Sequence, residues 1–533
     1  MPEPTLDPIE FEIFKNIFLS IAEEMGITLC RTGFSPNIKE RLDYSCAIYD
    51  ERGQTIAQGD HMPVHLGAMP LSVQAAIEHV NMEPGDVVVL NDPFRGGTHL
   101  PDITLVQPIF LEGEAAPAFY VANRAHHSDV GGVSPGSMPL AQEIFQEGLI
   151  IPPIKLVRRG EICEDVVALI LANVRTPVER EGDLSAQIAS NRVGEARLRS
   201  LVTRYGLDRV RKYARALQDY AERILRHTIS NIPNGEYSFD DVMDDDGFSR
   251  QCIGIRTIVR IAGDQAEVDF TGTELQTRGG VNANFAITLA ATLYCFRCLV
   301  VQDDVLYNSG ISRPIRVIAP RGTIVNAVHP AAVAGGNVET SQRITDVVLG
   351  ALAKALPQII PAASQGTMNN VTLGGTMPDD GSPFAYYETI GGGMGGRNGL
   401  PGLSGVHTHM SNTRNTPIEA IEHYLPVRIH RYALRQDSSG AGRYPGGEGI
   451  LREYEMLTET SITLLSERRA SHPYGAQGGE PGGCGRNTVV HADGSIETLP
   501  AKVRLELRPG DRLRIETPGG GGFGSANADK DER

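Results

Sequence analysis

The chain has 533 residues, a net charge of −16, 41% hydrophobic and 21% charged residues, and 59 glycines. This balance describes a globular chain and excludes both a disordered polymer and a basic surface that would neutralise nucleic-acid phosphates. The length exceeds one ordinary hydrophobic core, so two or three domains are expected.

At the N-terminus Asp7 and Pro8 read as an N-cap and first helical residue. Ile9, Ile13, Ile17, Ile21 and Met25 recur every four residues, which predicts an amphipathic helix up to about Gly26. This opening has no basic leader, and no apolar run reaches the ~18 residues of a membrane span, so the chain reads as cytoplasmic. Asp43 stands before a strand-like run, Ala47 to Tyr49, that turns at Asp50–Gly53 into a second strand. In the stretch DHMPVHLGAMP, Pro63 separates His61 from His65 and argues for an extended loop, its histidines either lining a pocket or structural. A helix follows from Leu71 to His79.

The densest chemistry lies at NDPFRGGTHLPD, Asn91 to Asp102. The apolar run Val87–Leu90 breaks into Asn-Asp-Pro, and Gly96 and Gly97 allow a close backbone approach. His99 and Asp102 then appear just before the strand pattern resumes at Ile103–Val106. After another strand-like run, Ala118–Ala122, a second cluster holds Asn123, Arg124, His126, His127, Ser128 and Asp129, then Gly131 and Gly132. Each cluster alone is as consistent with ordinary hydrogen-bonded pairs as with ligands. Two together, at the ends of neighbouring strand candidates, suit a divalent metal bound by nitrogen and oxygen, with Asp43 as a further available carboxylate.

Further on, a helical region from about Leu184 to Ile229, broken near Gly206, reads as a hairpin with solvated arginines. Ile253–Ile261, a turn at Gly263–Asp264 and Ala266–Phe270 form a β-hairpin pattern. Cys295 and Cys298 lie in an apolar helical run, Ile287 to Val301, and read as core cysteines; the seven scattered cysteines give no disulfide framework. Gly335 to Ser341, GGNVETS, precedes a helix that Thr340 or Ser341 would cap, and lacks a Walker lysine. A third polar cluster, His407, His409, Asn412, Thr413, Asn415, Glu419 and Glu422, is placed to wall a substrate pocket. From about Tyr432 alternating strands run to about Ile515, followed by GGGGFG and a charged tail. The expected fold is mixed α and β with several subdomains. An α/β metal-bearing region spans 1–235, a mixed central region with buried helices 236–430, a β-rich region 431–525, and a disordered tail 526–533.

ERLDYSCAIYD, MPVHLGAMP, NDPFRGGTHLPD, NRAHHSDVGG, GNVETSQR, NTPIEAIE and DSSGAGRYPGGEG follow in one order along nearly the whole chain. Together they resemble the hydantoinase B/oxoprolinase family, which includes B subunits of ATP-dependent hydantoinases, 5-oxoprolinase and caprolactamase-type enzymes, and related carboxylase subunits. The resemblance implies metal-assisted hydrolysis of a cyclic amide that a separate A-type, actin-like ATPase has phosphorylated. The expected assembly is two A with two B chains, with ATP bound by A. It implies zinc or manganese held by Asp43, His99, Asp102 and one of His126 or His127, with His126 preferred. Asp43, His99, Asp102 and His126 would form the catalytic set. Asp129 would orient a ligating histidine or be plainly structural. Arg124, His65, Asn282, Asn337 and Arg343 are candidate substrate contacts. A carboxylase subunit, or a metal-stabilised scaffold for the A chain, are the competing readings.

Overall fold

The computed structural model describes residues 6–59, 62–302 and 305–526. His61 and the tail beyond Ala526 lie outside the described residues. Helix α1 (Pro8–Thr32) starts as expected, with the Asp7 side chain accepting the Ile9 amide at 2.9 Å. It continues past Gly26 because Leu29, four residues after Met25, prolongs the buried stripe, and it stops at Gly33.

The N-terminal part is built on a seven-stranded sheet. In chain order its strands are β1 (Tyr44–Tyr49), β2 (Thr55–Gln58), β3 (Val87–Leu90), β4 (Asp102–Ile109), β5 (Phe119–His126), β6 (Ile154–Arg158) and β7 (Glu161–Ile162). They lie in the order β2-β1-β5-β4-β3-β6-β7, every neighbouring pair antiparallel. On one face Phe14, Phe18 and Met25 of α1 and Leu198 and Leu217 of the helices Pro177–Tyr205 and Leu207–Ser230 pack on Cys46, Ile48 and Val121. On the other, Met69 and Val73 of the helix Met69–His79 cover Ala47, Val88 and Val106. The first five strands are buried throughout, which explains why their apolar stretches do not alternate with exposed polar residues.

The middle of the chain forms a four-stranded sheet ordered β11-β10-β9-β8 from β8 (Gly235–Met243), β9 (Ile253–Ala262), β10 (Gln265–Asp269) and β11 (Ile315–Ile318). The buried helices Phe285–Arg297 and Ser341–Ala355 share its core. Neither Thr340 nor Ser341 caps the second helix. A wide turn, Gly336–Thr340, runs into it without a break, and the two hydroxyls donate to the carbonyls of Val281 and Val338.

Two antiparallel sheets complete the fold. In one, β12 (Asn370–Thr376) lies between β13 (Pro383–Glu388) and Thr460–Leu465, which in turn pairs with Lys502–Leu507, and a five-stranded sheet runs from Val427–Arg435 to Ile496–Leu499. The two sheets share one core around Val371, Tyr386, Ile462 and Leu513. A buried ionic cluster ties this part to the middle sheet. Asp241 Oδ2 accepts from Arg343 at 2.9 Å and Arg468 at 2.6 Å, Arg468 also binds Asp346 at 2.6 Å, and Lys502 pairs with Glu467. Arg343, considered from sequence as a substrate contact, is committed to this cluster.

Candidate metal centre

The loop between β3 and β4 is held rigidly. Asn91 Nδ2 donates to the carbonyls of Leu100 (2.8 Å) and Leu149 (3.0 Å), and its Oδ1 accepts the Ile151 amide at 2.7 Å. A Cβ on Gly97 would lie 2.4 Å from the Asn91 carbonyl oxygen, so the loop closes only with glycine there. Asn284, at the head of a central helix, donates to the carbonyls of Pro93, Gly97 and Thr98. The loop delivers His99 and then Asp102, the first residue of β4, whose ladder partner is His126 at the end of β5. The His126 amide donates to the Asp43 carbonyl at 3.0 Å, bringing the entrance of β1 alongside.

His99 Nε2 lies 3.1 Å and His126 Nδ1 3.3 Å from Asp102 Oδ1, and all three residues are buried. One ligand atom from each lies within 4.8 Å of the others. Ligands bonded at about 2.0–2.2 Å to a common cation in tetrahedral geometry sit roughly 3.4 Å apart, close to the separations of His99 and His126 from Asp102, and two imidazoles with carboxylate suit zinc or manganese. His99 Nδ1, His126 Nε2 and Asn337 Oδ1 are buried without a hydrogen-bond partner among the described residues, while Asn337 Nδ2 approaches His99 Nε2 at 3.0 Å. A nitrogen facing both a carboxylate and an amide in a buried place is better satisfied with a cation than without one. Burial opposes the charge on Asp102, but His99, His65 and the hydrogen bond to His126 hold its carboxyl well below the usual range. Burial pushes His126 down, which favours the neutral, ligating form.

Asp43, His65, Asp102, His126, Asn337, Tyr387, Thr389, Ser411 and Thr413 are among the residues around a cavity of about 10 Å³, room for one small group. His65 lies in a single helical turn, Pro63–His65, not in an extended loop. Its Nδ1 is 2.9 Å from Ser45 Oγ and its Nε2 3.4 Å from Asp102 Oδ2. Tyr387 stacks on His126 with ring centroids 4.5 Å apart.

His127 is corrected as a ligand, and Asp129 and Asn282, whose roles the sequence left open, have structural partners. His127 leaves the cluster: just past the end of β5 its ring turns to the helix side, where its Nε2 lies 2.9 Å from Gln187 Oε1. Asp129 orients no histidine of the cluster: it binds Arg175 through the backbone amide at 2.6 Å and the guanidinium at 2.9 Å. Asn282 is bonded to its own turn and to the Ala332 carbonyl. Arg124 lies inside β5, fully buried, bonded to Thr104 and Ser72 and 3.4 Å from Thr98, whose hydroxyl donates to Asp102 Oδ2 at 2.8 Å. It thus supports the centre from behind. Sequence reading missed Tyr387, Thr389 and Arg41 as site residues. Arg41 stood in a recognised motif, and Tyr387 and Thr389 carry no local signal.

A family model described as Hydantoinase B/oxoprolinase matches residues 7–526. The chain is 45% identical over 526 residues to an uncharacterized protein of Methanocaldococcus jannaschii, covering 98% of this chain and 91% of that one. It is 40% identical over 554 residues to 5-oxoprolinase 1 of Arabidopsis thaliana, covering 98% of itself but 42% of that protein, so it spans less than half of this relative's length. The ATP-dependent caprolactamase of Pseudomonas jessenii superposes with a TM-score of 0.89 at 30% identity, over 98% of this chain and 92% of that one. A nucleotide-free acetone carboxylase shares the fold, with a TM-score of 0.90 at 18% identity over 97% of this chain and 76% of that one.

Proposed function

Since the chain belongs to the hydantoinase B/oxoprolinase family, we propose that it completes the ATP-dependent opening of a cyclic amide of the 5-oxoproline or lactam type at the His99–Asp102–His126 cluster. The observation that carries this reading is the convergence of those three buried side chains beside a small cavity, in a chain akin to a 5-oxoprolinase and a caprolactamase. A separate A-type ATPase chain first phosphorylates the amide oxygen, which turns an unreactive ring into an electrophile with a good leaving group. His99, Asp102 and His126, with Asp43 beside them, would hold one zinc or manganese ion, which supplies Lewis acidity and a water of lowered pKa. Arg124, through Thr98, holds Asp102 in place. Asn337 steadies His99, and Tyr387 stacked on His126 keeps that imidazole facing the cavity.

The test is reconstitution with an A-type ATPase and assay of 5-oxo-L-proline, caprolactam and hydantoin. Ring opening is expected only with both chains and ATP. ATP-independent hydrolysis by this chain alone overturns the reading. The fold shared with acetone carboxylase keeps carboxylation as the second reading, tested by incorporation of labelled bicarbonate into acetone in the same mixture. Asp102→Asn separates both from a scaffold role, under which the complex would assemble and turn over unchanged.

A further inference from the structure

Arg41 is completely buried, and among the described residues no carboxylate forms an ion pair with it. Its Nη1 donates to the Tyr387 carbonyl at 2.6 Å and to Asn37 at 3.2 Å, its Nη2 donates to Thr389 Oγ1 at 2.9 Å, and its Nε has no partner among the described residues. The nearby buried Glu388 is already taken by Arg452 at 3.0 Å. A guanidinium has no lone pair to offer, so Thr389 Oγ1 must accept from Arg41. It shares a further hydrogen bond with Thr413 Oγ1, 2.7 Å away, in which either hydroxyl can donate. Thr413 has no other hydrogen-bond partner among the described residues, and both threonines are buried and line the cavity. The pair therefore keeps one proton free to point into it, and, with Thr389 donating, that proton is Thr413's.

Charge points the same way. Arg41 places a positive charge behind the Thr389–Thr413 pair, which favours a negatively charged group in the cavity. The cavity volume of about 10 Å³ suits a group the size of one oxygen.

We propose that Thr413, oriented by Arg41 through Thr389, donates the hydrogen bond that holds one negatively charged oxygen of the reacting substrate against the His99–Asp102–His126 centre. Thr413 touches the substrate, and Arg41 is a positioning residue. The donor is preorganised for a charged oxygen of the phosphorylated substrate. This inference rests on the metal-centre reading.

The test uses the full chain loaded with cobalt(II), followed by visible absorption while fluoride, a one-atom anion, is titrated in. The fluoride dissociation constant is expected to rise about tenfold in Thr413→Val and in Arg41→Gln, as for loss of a charge-assisted hydrogen bond. Thr413→Ser restores the wild-type value, and the fluoride-free cobalt spectrum is the same in all. Equal fluoride affinity in wild type and Thr413→Val overturns the donor assignment while leaving the metal centre intact. Absence of cobalt bands in the wild-type chain overturns the metal centre and this inference together.

Discussion

Asp102 and His126 face each other across the β4–β5 ladder, the first residue of one strand paired with the last of the other, and their side chains meet at 3.3 Å. Directly opposed residues of an antiparallel pair project to the same face, so the strand register sets this contact. With His99 delivered by a pinned loop, the cluster stands on rigid elements and needs no large rearrangement to receive a metal.

Wild-type protein is expected to carry about one zinc or manganese per chain, and His99→Ala and Asp102→Asn to retain less than about a tenth of it while still folded. His127→Gln is expected to keep the metal, since that ring faces Gln187. Elemental mass spectrometry on all four proteins, with circular dichroism as the folding control, decides. A normal metal content in Asp102→Asn would refute the site.

Gly97→Ala places a methyl against the Asn91 carbonyl, where backbone and not a flexible side chain must give way. The expected loss is about 2 kcal/mol or more of stability together with weaker metal binding, read by urea titration and metal competition. An alanine variant as stable and as well loaded as wild type would show that the loop closes differently.

Two buried groups give pH dependence of opposite sign. Burial and the neighbouring Arg41 push His407 down to about 4. An unfolded histidine titrates near about 6.5, so this contribution is present above that pH and is lost as pH falls towards the folded value, by up to roughly 3 kcal/mol. Burial pushes Glu147 up to about 8, against hydrogen bonds from the Val333 and Ala334 amides. Its contribution is present below the unfolded carboxyl pKa and is lost as pH rises through about 8. Glu147→Gln, which keeps the accepting oxygen, is therefore expected to gain stability over wild type progressively from pH ~5 to pH ~8, by a few kcal/mol. Denaturant titrations at intervals across that range would detect the trend. A constant difference between the two proteins would contradict it.

Asp241→Asn removes the carboxylate shared by Arg343 and Arg468 and leaves buried guanidiniums short of a counter-charge. Breaking such a cluster from one side is expected to destabilise the chain by about 3 kcal/mol, seen as a lower urea midpoint. Because the cluster joins the middle sheet to the C-terminal part, a second, earlier transition would locate the weakness at that junction.

Much was legible in the residues alone. The four-residue apolar period of α1, the Gly-rich breaks after β3, and the His and Asp types at the strand ends are local patterns, and local spacing records what a single helix, loop or strand end can do. The ordered motifs carried the family. Other features belong to the packing. His126 and His127 are adjacent in the chain, and only the helix covering the far face decides which of them is left for the centre. The continuation of β5 through Asn123, Arg124 and His126 was hidden because a buried ladder accepts polar residues that pair with one another. Asn337, Tyr387 and the Arg41–Thr389–Thr413 chain reach the cavity from segments hundreds of residues apart. No periodicity links such positions; the docking of a C-terminal strand against the head of the first sheet brings them together, and that proximity exists only in the folded chain.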